Sequence, residues 1–197
     1  MSLTQKSLDS LFISKVRLKT LKYFLLNPEV QIHLRAAVRE FQEEINAVRR
    51  ELSRLEAAKI IKVETKGNRK YFELNGDHPF TSELLSIFHK SFGLGAAIIE
   101  NGRKIGDIEF AFLTPAFTKN FYYGSQVVDL VVIGNVDLRM LEDIVQKVQA
   151  ELNKEIHYMI LKSSEFQLRK RRKDQFITDL MVQDNVMLIG NKEEFIR

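Results

Sequence analysis

The 197 residues contain no cysteine, which excludes a disulfide framework, a thiol nucleophile and a zinc site of the cysteine type. Such a chain suits a reducing interior, so a cytoplasmic protein is expected. Long apolar runs are missing as well. No stretch of about 18 consecutive apolar residues exists to cross a bilayer, and the opening MSLTQKSLDS lacks the apolar core of a secretion signal. A soluble protein with no membrane partner is the expectation. Charge of one sign is only mildly in excess, at +4 overall, and the excess is unevenly placed. Residues 1–90 carry sixteen Lys+Arg against eleven Asp+Glu, whereas residues 91–197 carry fourteen against fifteen. A polyanionic partner is therefore easier to accommodate in the first half. The length suffices for two small domains, each able to fold around its own interior.

The first half reads as helices followed by a hairpin. Val16, Leu18, Leu21, Phe24 and Leu25 recur at largely helical spacing after Ser14, an N-cap candidate, and Asn27-Pro28 stops the run. A short apolar stretch, Val30 to Leu34, leads into a helix over about 35–41. After Gln42-Glu43-Glu44 a stronger amphipathic helix runs from Ile45 to Ala58 and is expected to bury Ile45, Val48, Leu52 and Leu55. On a helical wheel the opposite side carries Asn46, Arg50, Ser53 and Arg54, with Arg49 at the flank. In IIKVETKGNRKYFELN, Ile61, Val63 and Tyr71 alternate with polar residues about the turn Lys66-Gly67-Asn68, which predicts a β-hairpin with a basic tip.

This order, with AVRRELSRLEAAKIIKVETKGNRKYF at its end, resembles small winged helix-turn-helix regulators of the ArsR type over roughly residues 10–75. The resemblance implies double-stranded DNA as partner. The third helix would enter the major groove with Asn46, Arg49 and Arg50 at the matching positions and Ser53 and Arg54 beside them. Lys66, Asn68, Arg69 and Lys70 match the wing, which contacts phosphates. Arginine can donate two bonds to a guanine edge and lysine can neutralise phosphate. Solvated charge on an exposed helix face is the alternative reading of the same residues. Where the family has a small or glycine-containing turn, this chain has Glu43 and Glu44, which favour a helix N-terminus and repel phosphate.

NGDHPFTSELLSIFHKSFGLG predicts a packed connecting helix starting at Thr81 or Ser82, with Leu84, Leu85, Phe88 and Phe92 on one side. His78 and His89 stand apart from other metal-ligand types and are expected to be structural. A further helix from Gly93 is expected to end near Asn101-Gly102. Beyond it, apolar runs alternate with helical patterns: strand 108–113, strand 127–133, helix 137–152, strand 156–161, helix 165–173 and strand 185–189. Asp137 is the expected N-cap of its helix, which would bury Leu141, Ile144, Val148 and Leu152. Such alternation points to an α/β sheet.

The segments AFLTPAFTK, QVVDL, VVIG, LNKEIHYMILKSSEFQLRKRRKDQFITDLM and VMLIGNKEEF together look like the minimal nucleotidyltransferase domain of the DNA polymerase β type, from about Ile108 to Phe195. That family carries a Gly-Ser pair after its first strand and an Asp-x-Asp pair on the next. Laid on that pattern, Pro115 stands at the glycine, Ala116 at the serine, Val127 at the first aspartate and Asp129 at the second. Nucleotidyl transfer needs metal ions held by clustered carboxylates and a turn whose backbone N–H groups approach phosphate. Proline has no N–H, alanine no hydroxyl, and valine ligates no metal. Asp129 is equally readable as a strand-end residue bonded to backbone. Gly124 and Ser125 could shape an alternative phosphate loop, but a lone Gly-Ser is a weak signal. Arg169 to Lys173, RKRRK, is read as a solvated helix face, with a second nucleic-acid contact or an acidic partner surface as the sharper alternative.

The expected fold class is α/β in the α+β sense: a winged helix-turn-helix over 1–77, connecting helices over 78–106, and a catalytically inactive nucleotidyltransferase-like domain over 107–197. The expected function is a DNA-binding transcriptional regulator, a homodimer with a possible protein partner, with no cofactor and no metal. The second domain would serve dimerisation, sensing or partner binding. An active nucleotidyltransferase modifying a protein or RNA, or an antitoxin-like interaction scaffold, are the alternatives.

Overall fold

A computed structural model describes residues 3–121 and 127–197, and the chain in it is α+β. Its contacts divide it into two compact units, essentially Gln5–Phe88 and His89–Arg197. The division falls inside a single helix, α5 (Thr81–Ser91). No helix among the described residues is long and apolar enough to cross a membrane.

The first unit opens with a helix that the sequence reading did not anticipate, α1 (Leu3–Leu11). It is followed by α2 (Lys15–Leu26), β1 (Ile32–His33), α3 (Leu34–Phe41), α4 (Ile45–Ala57), β2 (Ile61–Lys66) and β3 (Arg69–Leu74). Local chemistry sets the ends of these elements. The Ser14 hydroxyl accepts from the Arg17 N–H and starts α2, and the Asn27 side-chain amide donates to the Tyr23 carbonyl where α2 stops. The His33 Nδ1 accepts from the Ala36 N–H and starts α3, which closes with Gln42 in the left-handed region at φ 52°. Gly67, at φ 59°, is the first residue of the two-residue hairpin loop, the position that a type II′ turn reserves for glycine.

The antiparallel strand order is β1-β3-β2, with Ile32 opposite Phe72 and Ile61 opposite Leu74. The stretch Val30 to Leu34 is thus partly a short strand, which pairing with β3 makes possible and local pattern did not reveal. Two expected inward residues are corrected. Ile45 is exposed, and Glu51 lies inside with Val48, Leu52 and Leu55. On the hairpin, Phe72 and Leu74 face the core, while Tyr71 sits across from Glu64 and is only half-buried.

The second unit is built on a four-stranded sheet of order β6-β5-β4-β7, from β4 (Gly106–Leu113), β5 (Leu130–Val136), β6 (Tyr158–Leu161) and β7 (Val186–Ile189). β4 pairs antiparallel with β5 and β7, and β5 pairs parallel with β6. The helices are α6 (Gly93–Ile105), α7 (Pro115–Lys119), α8 (Leu138–Leu152), α9 (Ser163–Arg171), α10 (Gln175–Val182) and α11 (Lys192–Ile196). Successive residues of the central strands go to opposite faces. Ala111, Leu113, Leu130 and Val132 join Ile98, Leu141 and Val145 in one core. Phe110, Phe112, Val131 and Ile133 join Phe166, Ile177 and Phe195 in another. Apolar layers on both sides explain why these strands read as unbroken hydrophobic runs.

Several boundaries differ from expectation. α6 continues past Gly102 to Ile105, and the missing side chain at Gly102 leaves room for Ile189 of β7. β5 begins at Leu130, not Val127, and runs on through Gly134, whose missing side chain admits the Asp107 carbonyl beside a bulge in β4. Asp137 caps α8 as expected, accepting from the Arg139 and Met140 N–H groups, but Leu152 is exposed and Val145 takes its place inside. The helices α7, α10 and α11 were not foreseen.

His89 is buried in the second unit, edge-on to Phe117 at 5.7 Å, and its Nε2 has no hydrogen-bond partner. Loss of water lowers its pKa from 6.5 to about 4, outweighing the Thr118 backbone, which favours the charged form, with Lys154 adding a smaller push the same way. The unfolded chain, with the ordinary value, therefore binds this proton first. Stability is full above about pH 6.5 and falls as pH drops toward about 4, by up to about 3 kcal/mol. Thermal melts at pH 7 and at acid pH should show a flatter dependence for His89→Leu than for the wild type. Parallel losses in the two proteins would remove His89 from the account.

Candidate functional site

Helix α4 presents its polar side outward because its other side is fixed at two levels. Val48, Leu52 and Leu55 pack into the apolar interior, and Glu51, 3% exposed, is held there by charge. The Arg17 Nε donates to Glu51 Oε1 at 2.6 Å, its Nη2 reaches Oε2 at 3.4 Å, and Arg54 Nη1 lies 3.6 Å from Oε2. Hydrogen bonding to Glu51, with its charge, raises the Arg17 pKa further. At the start of α4 the Glu44 carboxylate accepts from the Ala47 N–H at 2.9 Å. Backbone bonds, that to Asn46 foremost, hold its pKa below the ordinary value. Glu43 is ion-paired to Lys19 at 2.7 Å. The two carboxylates of the turn are thus tied to a helix end and to a lysine.

Between α4 and the hairpin lies a cleft of about 600 Å³. Of the residues expected to bind nucleic acid, Arg49, Ser53, Asn68, Arg69 and Lys70 line it together. Asn46, Arg50, Arg54 and Lys66 do not. Asn46 accepts from Arg49 Nη1 at 3.1 Å, Arg54 is turned to Glu51, and Lys66 is bound to Glu64 at 3.0 Å and to Gln31 at 2.6 Å. The cleft also includes His33 and Arg35, which the sequence reading passed over, and one acid, Glu56. Both additions follow from β1, since its pairing with β3 brings the start of α3 beside the hairpin. Among the described residues Arg35, Arg50, Arg69 and Lys70 have no ion-pair partner.

In the second unit the positions that the sequence reading laid on the nucleotidyltransferase pattern are differently disposed. Pro115 and Ala116 open α7 and are buried, and Thr114, just before them, donates its hydroxyl to the Val128 carbonyl. Val127 is on a loop, half exposed. Asp129 is 2% exposed, and its Oδ2 accepts from the His157 N–H at 2.8 Å and lies 3.5 Å from the His157 Nδ1. Its own N–H donates to the His157 carbonyl at 2.7 Å, and its carbonyl accepts from the Thr114 N–H at 3.0 Å. Asp129 therefore joins the ends of β4, β5 and β6. Among the described residues no three His, Cys, Asp or Glu side chains gather in a way that could hold a metal ion. Gly124 and Ser125 lie outside the described residues.

No family model, curated protein or solved structure matches this chain.

Glu51→Ala should destabilise the chain by about 1–3 kcal/mol, the magnitude for losing a charged hydrogen bond of a buried group. Glu51→Gln, which keeps the shape and some of the bonding, should cost less. Denaturant unfolding followed by circular dichroism measures both, and an unchanged midpoint for the alanine variant would show that the ion pair contributes nothing.

Proposed function

We propose that the first unit is a winged helix-turn-helix that binds double-stranded DNA, and that the protein is a cytoplasmic transcriptional regulator. The observation that carries this reading is the cleft between α4 and the hairpin, where Arg35, Arg49, Arg69 and Lys70 face a single acid, Glu56. A phosphate strand running along it would meet Arg35 from α3 and Arg69 and Lys70 from β3, while α4 offers Asn46, Arg49, Arg50 and Ser53 to base edges. Glu43 and Glu44 do not stand against it, since one is paired with Lys19 and the other caps α4. Binding as a two-fold dimer would match palindromic half-sites.

The division of labour among the cations can be read in gel shifts against genomic fragments that include the chain's own upstream region. Binding should fall steeply with salt. Arg49→Ala with Arg50→Ala should erase about 1–3 kcal/mol of preference between sequences. Arg69→Ala and Lys70→Ala should weaken all DNA alike, each reducing the salt slope by about 1. Lys66→Ala should change little, because Lys66 is already satisfied by Glu64 and Gln31. An identical response to all of these substitutions, or no shift with any fragment, would defeat the groove assignment.

The second unit is read as a nucleotidyltransferase-like scaffold without transferase activity, serving dimerisation, sensing or partner binding. Its one matching acid, Asp129, is engaged by backbone, and Pro115 begins a helix where a phosphate-binding turn would need a free N–H. Incubation with radiolabelled nucleoside triphosphates and Mg²⁺ or Mn²⁺ should label neither protein nor RNA. Label that appears in the wild type and disappears in Asp129→Ala would reverse this reading.

A further inference from the structure

The basic run Arg169 to Lys173 is unexplained by either unit's proposed role, and the structure gives it a definite setting. α9 ends in it, Lys173 turns the chain in the left-handed region at φ 53°, and α10 departs with Asp174 capping its first turn. α11 closes the third side. It is anchored from within by Phe195, whose ring stacks on Phe166 at 5.4 Å and packs against Phe112 at 5.0 Å. Lys170 belongs to this anchor: its Nζ donates to the Phe195 carbonyl at 2.7 Å and lies 5.4 Å from the centre of the Phe166 ring.

The three helices leave a cleft of about 560 Å³. Its cationic lining comes from Arg171, Lys173 and Arg197 together with Lys170, and among the described residues no Asp or Glu side chain lines it. Among the described residues Arg171, Lys173 and Arg197 have no ion-pair partner. Of the acids on these helices, Glu165 is engaged with Arg169, Asp174 with the Ile177 N–H and Asp179 with Gln175, while Glu193 and Glu194, in the first turn of α11, are not part of the cleft lining. The apolar lining is Ile177, Met181, Val182 and Ile196, with Val182 79% and Ile196 45% exposed.

We propose that the cleft between α9, α10 and α11 is a docking groove for an acidic, amphipathic helical segment of a partner protein. Charge complementarity calls for an anionic occupant, and the apolar floor selects among anions. A nucleic-acid backbone would satisfy the cations and leave Val182 and Ile196 in water. A flat anionic bilayer would reach the exposed Val182 and Ile196 but not the recessed Met181 between the helices. A helix with apolar residues at i, i+3/i+4 and i+7 and carboxylates flanking them covers both. The groove lies wholly within the second unit, so the proposal does not depend on DNA binding by the first.

The test is a selection from a displayed random-peptide library on the immobilised full-length protein, with recovered peptides measured by fluorescence anisotropy. Enriched peptides should combine Asp or Glu with apolar residues at helical spacing. Arg171→Glu with Lys173→Glu should weaken them by about tenfold or more, and so should Val182→Asp. Arg49→Ala should leave them unaffected. The substituted side chains are on the surface, and circular dichroism checks that each variant is folded. Enrichment without that pattern, or affinity indifferent to both groove variants, overturns the proposal. It is equally overturned if a duplex oligonucleotide or phosphatidylserine vesicles bind more tightly than any selected peptide and lose that binding in the same variants.

Discussion

Taking one carboxylate out of water and matching it with one guanidinium fixes the orientation on which the first unit depends. Glu51 sits on the inward side of α4, and among the described residues the cations near enough to compensate its charge are Arg17 from α2 and, more distantly, Arg54 of its own helix. An apolar residue at that position would let α4 slide or rotate with modest penalty, since greasy surfaces are non-directional. An ion pair whose acid is buried tolerates less such freedom, because a displaced Arg17 leaves the Glu51 carboxylate desolvated and unpaired. The rotation it enforces decides which of the outward residues look toward the hairpin. Arg49 and Ser53 do, and Arg50 and Asn46 do not.

The second unit depends on a different constraint, the satisfaction of backbone groups where three strands begin or end together. Asp129 supplies it, with both main-chain groups and one carboxylate oxygen bonded to Thr114 and His157. A carboxylate committed to a backbone N–H inside the protein is poorly placed to hold a hard cation, which demands several oxygens in an open site. Structural use and catalytic use of this position compete. In a sheet with apolar layers on both faces, unpaired backbone at the strand ends would be costly to leave.

Strong periodicities were legible from residues alone. The capping roles of Ser14 and Asp137, the helix around Val48 and Leu52, the hairpin at Gly67 and the apolar strands β4 and β5 all follow from short-range chemistry. Short helices that packing creates were not legible. Phe195 reads as an isolated aromatic near the chain's end, yet it is among the most deeply buried side chains, because Phe110, Phe112 and Phe166 converge on it from distant elements. Of the candidate cleft, Arg49, Ser53, Asn68, Arg69 and Lys70 were named, whereas His33 and Arg35 were missed. Nothing local in a two-residue strand announces its partner.

By itself, the sequence determined where helices and strands could form and which residues carry charge, since both are properties of neighbours a few positions apart. It also determined what two residues cannot supply, since Pro115 has no N–H to donate and Val127 no ligand atom. Tertiary structure decided which distant groups meet. Lys66 and Arg54 pair with acids of their own elements, Glu64 and Glu51, but only folding brings Gln31 to Lys66 and Arg17 to Glu51, and only folding sets Arg49 beside Lys70 at the cleft. Pairing between elements is a matter of distance in space, and distance along the chain does not record it.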